Sequence, residues 1–160
     1  MRKEIIEHRT SGGRSLRDAE WLDLDSIAHV QLTSEDPALP IENALGTSPD
    51  GNERGWRATS PGPKTITLGF DGPQHIRRIF LHFIERETEN AQEFALRYSS
   101  AKETDREIVR QQWTFSPTGS AQEIEDYAVQ LESVTKLELV SDPDRGRGHC
   151  LATLDALRLA

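Results

Sequence analysis

The feature that most constrains this chain is an apolar alternation with a period of two. In Lys64–Phe70, Ile66, Leu68 and Phe70 alternate with Thr65, Thr67 and Gly69. Ile79, Leu81 and Phe83 alternate within Ile76–Ile84, and Phe94, Leu96 and Tyr98 within Ala91–Ser99. Val109, Trp113 and Phe115 share one face of Glu107–Phe115, with Gln111 as the polar exception. Val129 and Leu131 belong to a segment over 122–131, and Leu137 and Leu139 to Val134–Ser141. A weaker segment, His29–Thr33, comes first and Leu151–Leu159 comes last. Period two sends alternate side chains to opposite faces, so each segment predicts a strand with one buried and one wet face. Turn-forming residues separate the segments: Asp71-Gly72-Pro73, Ser99-Ser100, Ser116–Gly119 and Asp142–Gly148. The spacing predicts an all-β fold, an antiparallel β-sandwich of about eight strands with jelly-roll topology. The long connection over 34–63 is rich in Pro and Gly and is expected to hold one helical turn at Pro40–Leu45.

Length and charge narrow the function. A chain of 160 residues fits one domain. A net charge of -8 disfavours coating a phosphate backbone, so no nucleic-acid partner is expected. The single cysteine, Cys150, excludes an internal disulfide and is expected as a buried structural residue. There is no apolar run long enough to span a membrane, and no membrane partner is expected. The segment Met1–Arg9 is charged throughout and lacks the apolar stretch of a signal peptide, so the expected location is cytoplasmic. Residues 1–26 carry Arg2, Lys3, Arg9, Arg14 and Arg17 and a Ser11-Gly12-Gly13 breaker. They are expected to form an N-terminal arm, with residues 27–160 as the sandwich domain. Asp18 is expected to cap a helical turn bearing Trp21, Leu22 and Leu24. Phe80 and Ile84 fall on the strand face that should be wet, so a cover is expected there, either the arm with Ile5 and Ile6 or a partner chain.

Catalytic patterns are not found. The five histidines, His8, His29, His75, His82 and His149, include no His-x-His pair. His82 and Glu85, three apart on a strand, point to opposite faces, as do the neighbours His149 and Cys150. There is no Gly-x-Gly-x-x-Gly, phosphate loop or Gly-x-Ser-x-Gly. Glu123, Glu125 and Asp126 read as a charged outer face. No catalytic residue, resident cofactor or catalytic metal is expected.

Several runs in order carry a resemblance. They are Asn43-Ala-Leu45, Asp50-Gly-Asn52, Gly55-Trp-Arg-Ala58, Pro61-Gly62 and Ile66-Thr-Leu68-Gly-Phe70, then Ile76-Arg-Arg-Ile79-Phe-Leu81, Phe94-Ala-Leu-Arg-Tyr-Ser99 and Leu151–Leu159. Together they resemble discoidin-type domains, also called coagulation factor 5/8 type C domains, of the galactose-binding-domain-like superfamily. The resemblance spans about 28–160. Gly55 stands where the family usually has Thr before Trp, and Asp155 where Glu is common. The resemblance implies that Trp56 packs inside, and that a structural calcium is conceivable at Asp50, Asn52 and Asp155. The family's disulfide and membrane-inserting apolar spikes are missing here.

Strand direction places the connections 34–63, 85–91, 116–121 and 141–150 at one end of the sandwich, away from the C-terminus. Rigid scaffolds carry binding residues on such loops, and sugar-binding relatives use this end. It offers Glu35, Asp36, Arg57, Arg86, Glu87, Glu89, Asn90, Arg145, Arg147 and His149, whose donors and acceptors suit a hydroxyl network. The expected ligand-binding set is Glu35, Arg57, Arg86, Glu87, Asn90 and His149. By resemblance the expected function is non-catalytic carbohydrate binding, with a carbohydrate or other small polar ligand as partner. The alternative is a cytoplasmic protein-interaction or assembly module that uses the arm and an outer sheet face to bind a protein partner or to form a homo-oligomer.

Overall fold

A computed structural model describes residues 21–46, 55–85, 90–115, 122–143 and 150–160. Within these the chain forms a short helix α1 (Leu24–Ile27), β1 (Ala28–Leu32) and α2 (Ile41–Leu45). Then follow β2 (Trp56–Pro61), β3 (Lys64–Ile84), β4 (Asn90–Ser100), β5 (Arg106–Phe115), β6 (Gln122–Asp142), β7 (Leu151–Leu154) and β8 (Ala156–Leu159). Every strand pair is antiparallel. The architecture is the expected β-sandwich.

Two strands organise it. β3 and β6 each run for 21 residues, about twice the usual upper length, and they pair along their whole course. Their register slips three times between Gly69 and Arg78. Ile76 and Ile79 are both fully buried; that odd spacing requires an extra residue in the alternation. On one side of this irregularity, the first half of β3 pairs with β1 and with the second half of β6, which continues to β4 and β5. On the other side, the second half of β3 lies between the first half of β6 and β8. The two strands thus leave one layer and enter the other together. A separate β2–β7 pair adjoins the second layer.

The layers meet through the side chains that alternation turned inward. Ile66, Leu68, Ile79, Leu81, Phe83, Phe94, Leu96, Leu137 and Leu139 are buried. Phe83 touches Phe94 and Trp113 across the sandwich, with ring centroids 5.3 and 4.9 Å apart, and Phe115 closes the group edge-on to Trp113. Offset and edge-on pairs of this kind add stability beyond their buried area. Trp56 and Cys150 are buried as expected.

Four expectations change. Asp71-Gly72-Pro73 does not end a strand, because β6 bends alongside it and pairing resumes at Gln74 and Val134. Likewise, the segments over 122–131 and Val134–Ser141 are one strand, turned at Ser133, whose φ is 55°. Leu151–Leu159 is two strands, because Asp155 donates its N–H to the His82 carbonyl and the chain leaves β2 for β3. Finally, Glu123 and Glu125 do not share an outer face with Asp126. They continue the inward row of Tyr127, Val129 and Leu131, while Asp126 faces out and pairs with Arg78. Period two requires this split, since Asp126 is one residue out of phase. β2 is an addition inside the long connection.

The cover over Phe80 is supplied within the chain. Trp21 lies 6.2 Å from the Phe80 ring, and the Arg78 guanidinium sits 5.2 Å over Trp21. Leu22 donates its N–H to the Leu159 carbonyl, and Leu24 is in the core. Residues 1–20, with Ile5, Ile6 and Asp18, lie outside the described residues. Trp21→Ala is expected to cost about 1–2 kcal/mol, from one aromatic pair and one cation–π contact. The check is a thermal melt, in which a loss of a few degrees is expected.

Candidate functional site

The site is built on the segment that joins β1 to α2, which is fastened along β2. Trp56 buries its indole and donates Nε1–H to the Ser34 carbonyl at 3.2 Å. The Ser34 hydroxyl accepts the Thr59 N–H at 2.9 Å. Asp36 donates its N–H to the Arg57 carbonyl at 2.8 Å, and Arg57 donates its own to the Leu39 carbonyl at 3.2 Å. These bonds bring Glu35, Asp36 and Arg57 together. Asp36 Oδ1 accepts the Ala38 N–H at 2.9 Å and Oδ2 accepts Arg57 at 3.0 Å. The Ala38 N–H and the Arg57 guanidinium hold the Asp36 carboxyl below the usual carboxylate range. Glu35 Oε2 accepts the N–H of Ile41, the first residue of α2, at 2.8 Å, so Glu35 fixes the helix start as well as lining this end.

Gly55 makes the approach of β2 possible. Its φ is +81°, and a Cβ there would meet the Leu154 carbonyl oxygen at 2.8 Å. Asn43, buried in α2, donates to the Gly55 carbonyl at 3.1 Å. Arg57 is opposite Thr153 of β7. Thr153 in turn donates to the Ile84 carbonyl at 3.1 Å, which ties the end of β3 to the same place.

Beneath this end the inner faces turn polar. Each inward row closes on a polar residue: Glu85 after Phe83, Gln92 before Phe94, and Ser141 after Leu139. All three are buried. Gln92 donates to the Ser141 hydroxyl at 3.0 Å. Among the described residues, three buried side-chain polar atoms have no hydrogen-bond partner: Arg57 Nε, Trp113 Nε1 and Asp142 Oδ1. All belong to strand ends at this same pole, since Lys64 is opposite Ser141, Asn90 opposite Phe115 and Glu93 opposite Asp142. Buried polar atoms without partners are uncommon in folded proteins.

No family model matches the chain, and no curated sequence matches it significantly. Solved structures do. A family 32 carbohydrate-binding module from a family 31 glycoside hydrolase of Clostridium perfringens superposes with a TM-score of 0.61 at 18% identity, covering 87% of this chain and 93% of that one. The corresponding module of C. perfringens NanJ, in complex with galactose, gives 0.58 at 12% identity, with 82% and 92% covered. The module of AlyQ, in complex with 4,5-unsaturated mannuronic acid, gives 0.57 at 14% identity, with 84% and 95% covered. The chain has the discoidin-type, galactose-binding-domain-like fold. Some neighbours with this fold are single domains of longer enzyme chains.

Within the discoidin-type fold, the expected ligand set divides by what the structure describes. Arg57 binds Asp36, and Glu35, the residue before Asp36, holds the start of α2. Asn90 begins β4 opposite Phe115, at the same pole. Arg86, Glu87 and His149 lie outside the described residues, as do Glu89, Arg145 and Arg147. The polar row of Glu85, Gln92 and Ser141 was not singled out from the sequence. Extending each apolar alternation by one more inward step reaches all three. Of the candidate cation ligands, Asp50 and Asn52 are outside the described residues. The Asp155 carboxylate lies 3.4 Å from His82 Nδ1, and no metal-binding cluster of three or more acidic, His or Cys side chains exists among the described residues.

Proposed function

We infer that the chain is a non-catalytic carbohydrate-binding module that takes its sugar at the pole of Glu35, Asp36 and Arg57, with Arg86, Glu87, Asn90 and His149 completing the ligand set. The observation that carries this reading is the state of Arg57. A guanidinium offers five N–H donors in a fixed plane. Asp36 engages one Nη from one side, Nε is buried, and about a third of the side chain remains exposed. A donor-rich group held in one orientation, with capacity left over, is what a set of sugar hydroxyls requires. The polar row under it and the sugar complexes of structural neighbours support the same reading. Asp36 acts as a positioning residue: it holds the guanidinium through one nitrogen without occupying it fully.

The test is a glycan array followed by titration with the best hit, with galactose and N-acetylgalactosamine as first probes. Arg57→Ala is expected to weaken binding at least about tenfold, the loss that accompanies removal of a charged hydrogen-bond donor. It should leave the melting temperature within about a degree or two, since surface ion pairs contribute little. Binding equal to that of the unmodified chain would remove Arg57 from the site.

A further inference from the structure

A cleft of about 90 Å³ opens at the side of the sandwich, between α1, β1 and α2. Leu24, Ile41, Leu45 and Leu68 form its floor, and all four are buried core residues. Ala28, His29 and Val30 of β1 line it as well. Consecutive residues of a strand point to opposite faces, so a cleft that meets three in a row runs along the strand's edge. That edge carries no other strand, because β1 pairs only with β3. Thr33 donates its N–H to the Thr65 carbonyl, and β1 keeps that register down to Ala28. Bonded and non-bonded positions alternate along an antiparallel pair. His29 and Gln31 therefore bond to β3, and the N–H and C=O of Val30 point to the cleft side. Ala28 has the same phase, and it donates its N–H away from β3, to the Leu24 carbonyl. Asp25 of α1 and Glu42 of α2 are exposed at the mouth. Among the described residues neither carboxylate has a side-chain partner, and no Lys or Arg lines the cleft. His29, also at the mouth, lies 3.9 Å from the Asp71 carboxylate.

We propose that this cleft is a docking site for an extended segment of a partner protein that carries a lysine. Each part of the cleft matches one part of such a residue. Val30 pairs with its backbone, as an added strand does. The apolar floor takes the aliphatic stem, which lysines bury readily. Asp25 and Glu42 take the ammonium. Size favours one slender side chain: a cavity of about 150 Å³ holds a benzene ring, so this smaller cleft is too narrow for a sugar ring. The compact ammonium on a flexible stem also suits it better than the planar guanidinium of arginine. The net charge of -8 draws a cationic partner toward the chain. The cleft is separate from the sugar pole, and neither depends on the other. Val30 and Ala28 stand opposite Leu68 and Phe70 of β3, four and six residues from Lys64 at the pole, or about 13 and 20 Å along the strand.

The test is an amide NMR titration of the full chain with the capped tripeptide acetyl-Val-Lys-Val-amide. Its norleucine and glutamate analogues and n-butylamine are titrated alongside. The lysine peptide should give saturable shifts at Val30, Ile41 and Leu45, with Arg57 unmoved. Norleucine keeps the stem without the charge and should bind about five- to tenfold more weakly, the loss of two exposed ion pairs. The glutamate peptide should not bind. Asp25→Asn combined with Glu42→Gln should bring the lysine peptide down to the norleucine level and leave the melting temperature within about a degree or two, since exposed charges contribute little to folding. Equal binding of the lysine and norleucine peptides overturns the ammonium contact. n-Butylamine that binds as tightly as the peptide overturns the pairing of a segment with Val30. Shifts at Arg57 in place of Val30, or no saturable shift with any peptide, overturn the docking site.

Discussion

Phe83→Ala is expected to lower stability by about 3–5 kcal/mol, the range for a fully buried aromatic ring. Phe83 is fully buried and is the hub of the aromatic group, in contact with Phe94 and Trp113 of the opposite layer. Removing its ring takes away apolar burial and two ring contacts. It also leaves a cavity between two sheets that cannot close, because β3 is fixed by pairing with β6 on one side and β8 on the other. For a domain of this size, the melting temperature should fall by roughly 10 °C or more. Denaturant unfolding of the two proteins measures the difference; a loss below about 1 kcal/mol would mean that the layers do not meet at Phe83.

Gly55→Ala is expected to have the second largest effect, and to join fold to site. A Cβ at Gly55 would lie 2.8 Å from the Leu154 carbonyl oxygen and 2.9 Å from Asp155 Cα. Both are backbone atoms, so β2 must move. A non-glycine residue at φ +81° also carries left-handed strain of about 1–2 kcal/mol. The sum of strain and displacement is expected near 3 kcal/mol. Since Arg57 follows two residues later, the shift should also separate it from Asp36. Gly55→Ala should therefore lose sugar binding together with stability, whereas Arg57→Ala loses binding alone. Denaturant unfolding and a sugar titration on the same preparations distinguish the two.

Much of the fold was legible because alternation is local. Ile79, Leu81 and Phe83, or Phe94 and Leu96, declare their buried face without reference to any other strand. Gln111 was also legible as an anomaly, but its partners were not, since Glu125 and Tyr127 reach it only when the sandwich closes. The continuity of β3 through Asp71-Gly72-Pro73 was hidden for the same reason: whether that bend ends a strand depends on β6 bending with it. At the site, Arg57 and Glu35 could be named from their order in the chain. Their fastening by Ser34, Trp56 and Asp36 depends on β2, a strand too short, with only Trp56 and Ala58 buried, to stand out within a loop. The buried polar ends Glu85, Gln92 and Ser141 lie one alternation step beyond the last apolar residue of each row, within reach of the same rule.

The most direct test of the account is an amide NMR titration of the full chain with the sugar that the array selects. Binding at the loop pole predicts the largest shifts at Glu35, Asp36, Arg57, Glu85 and Gln92, with Phe80 and Gln111 unmoved. Shifts centred on Trp21 and Phe80, or no saturable shift with any sugar, would contradict it.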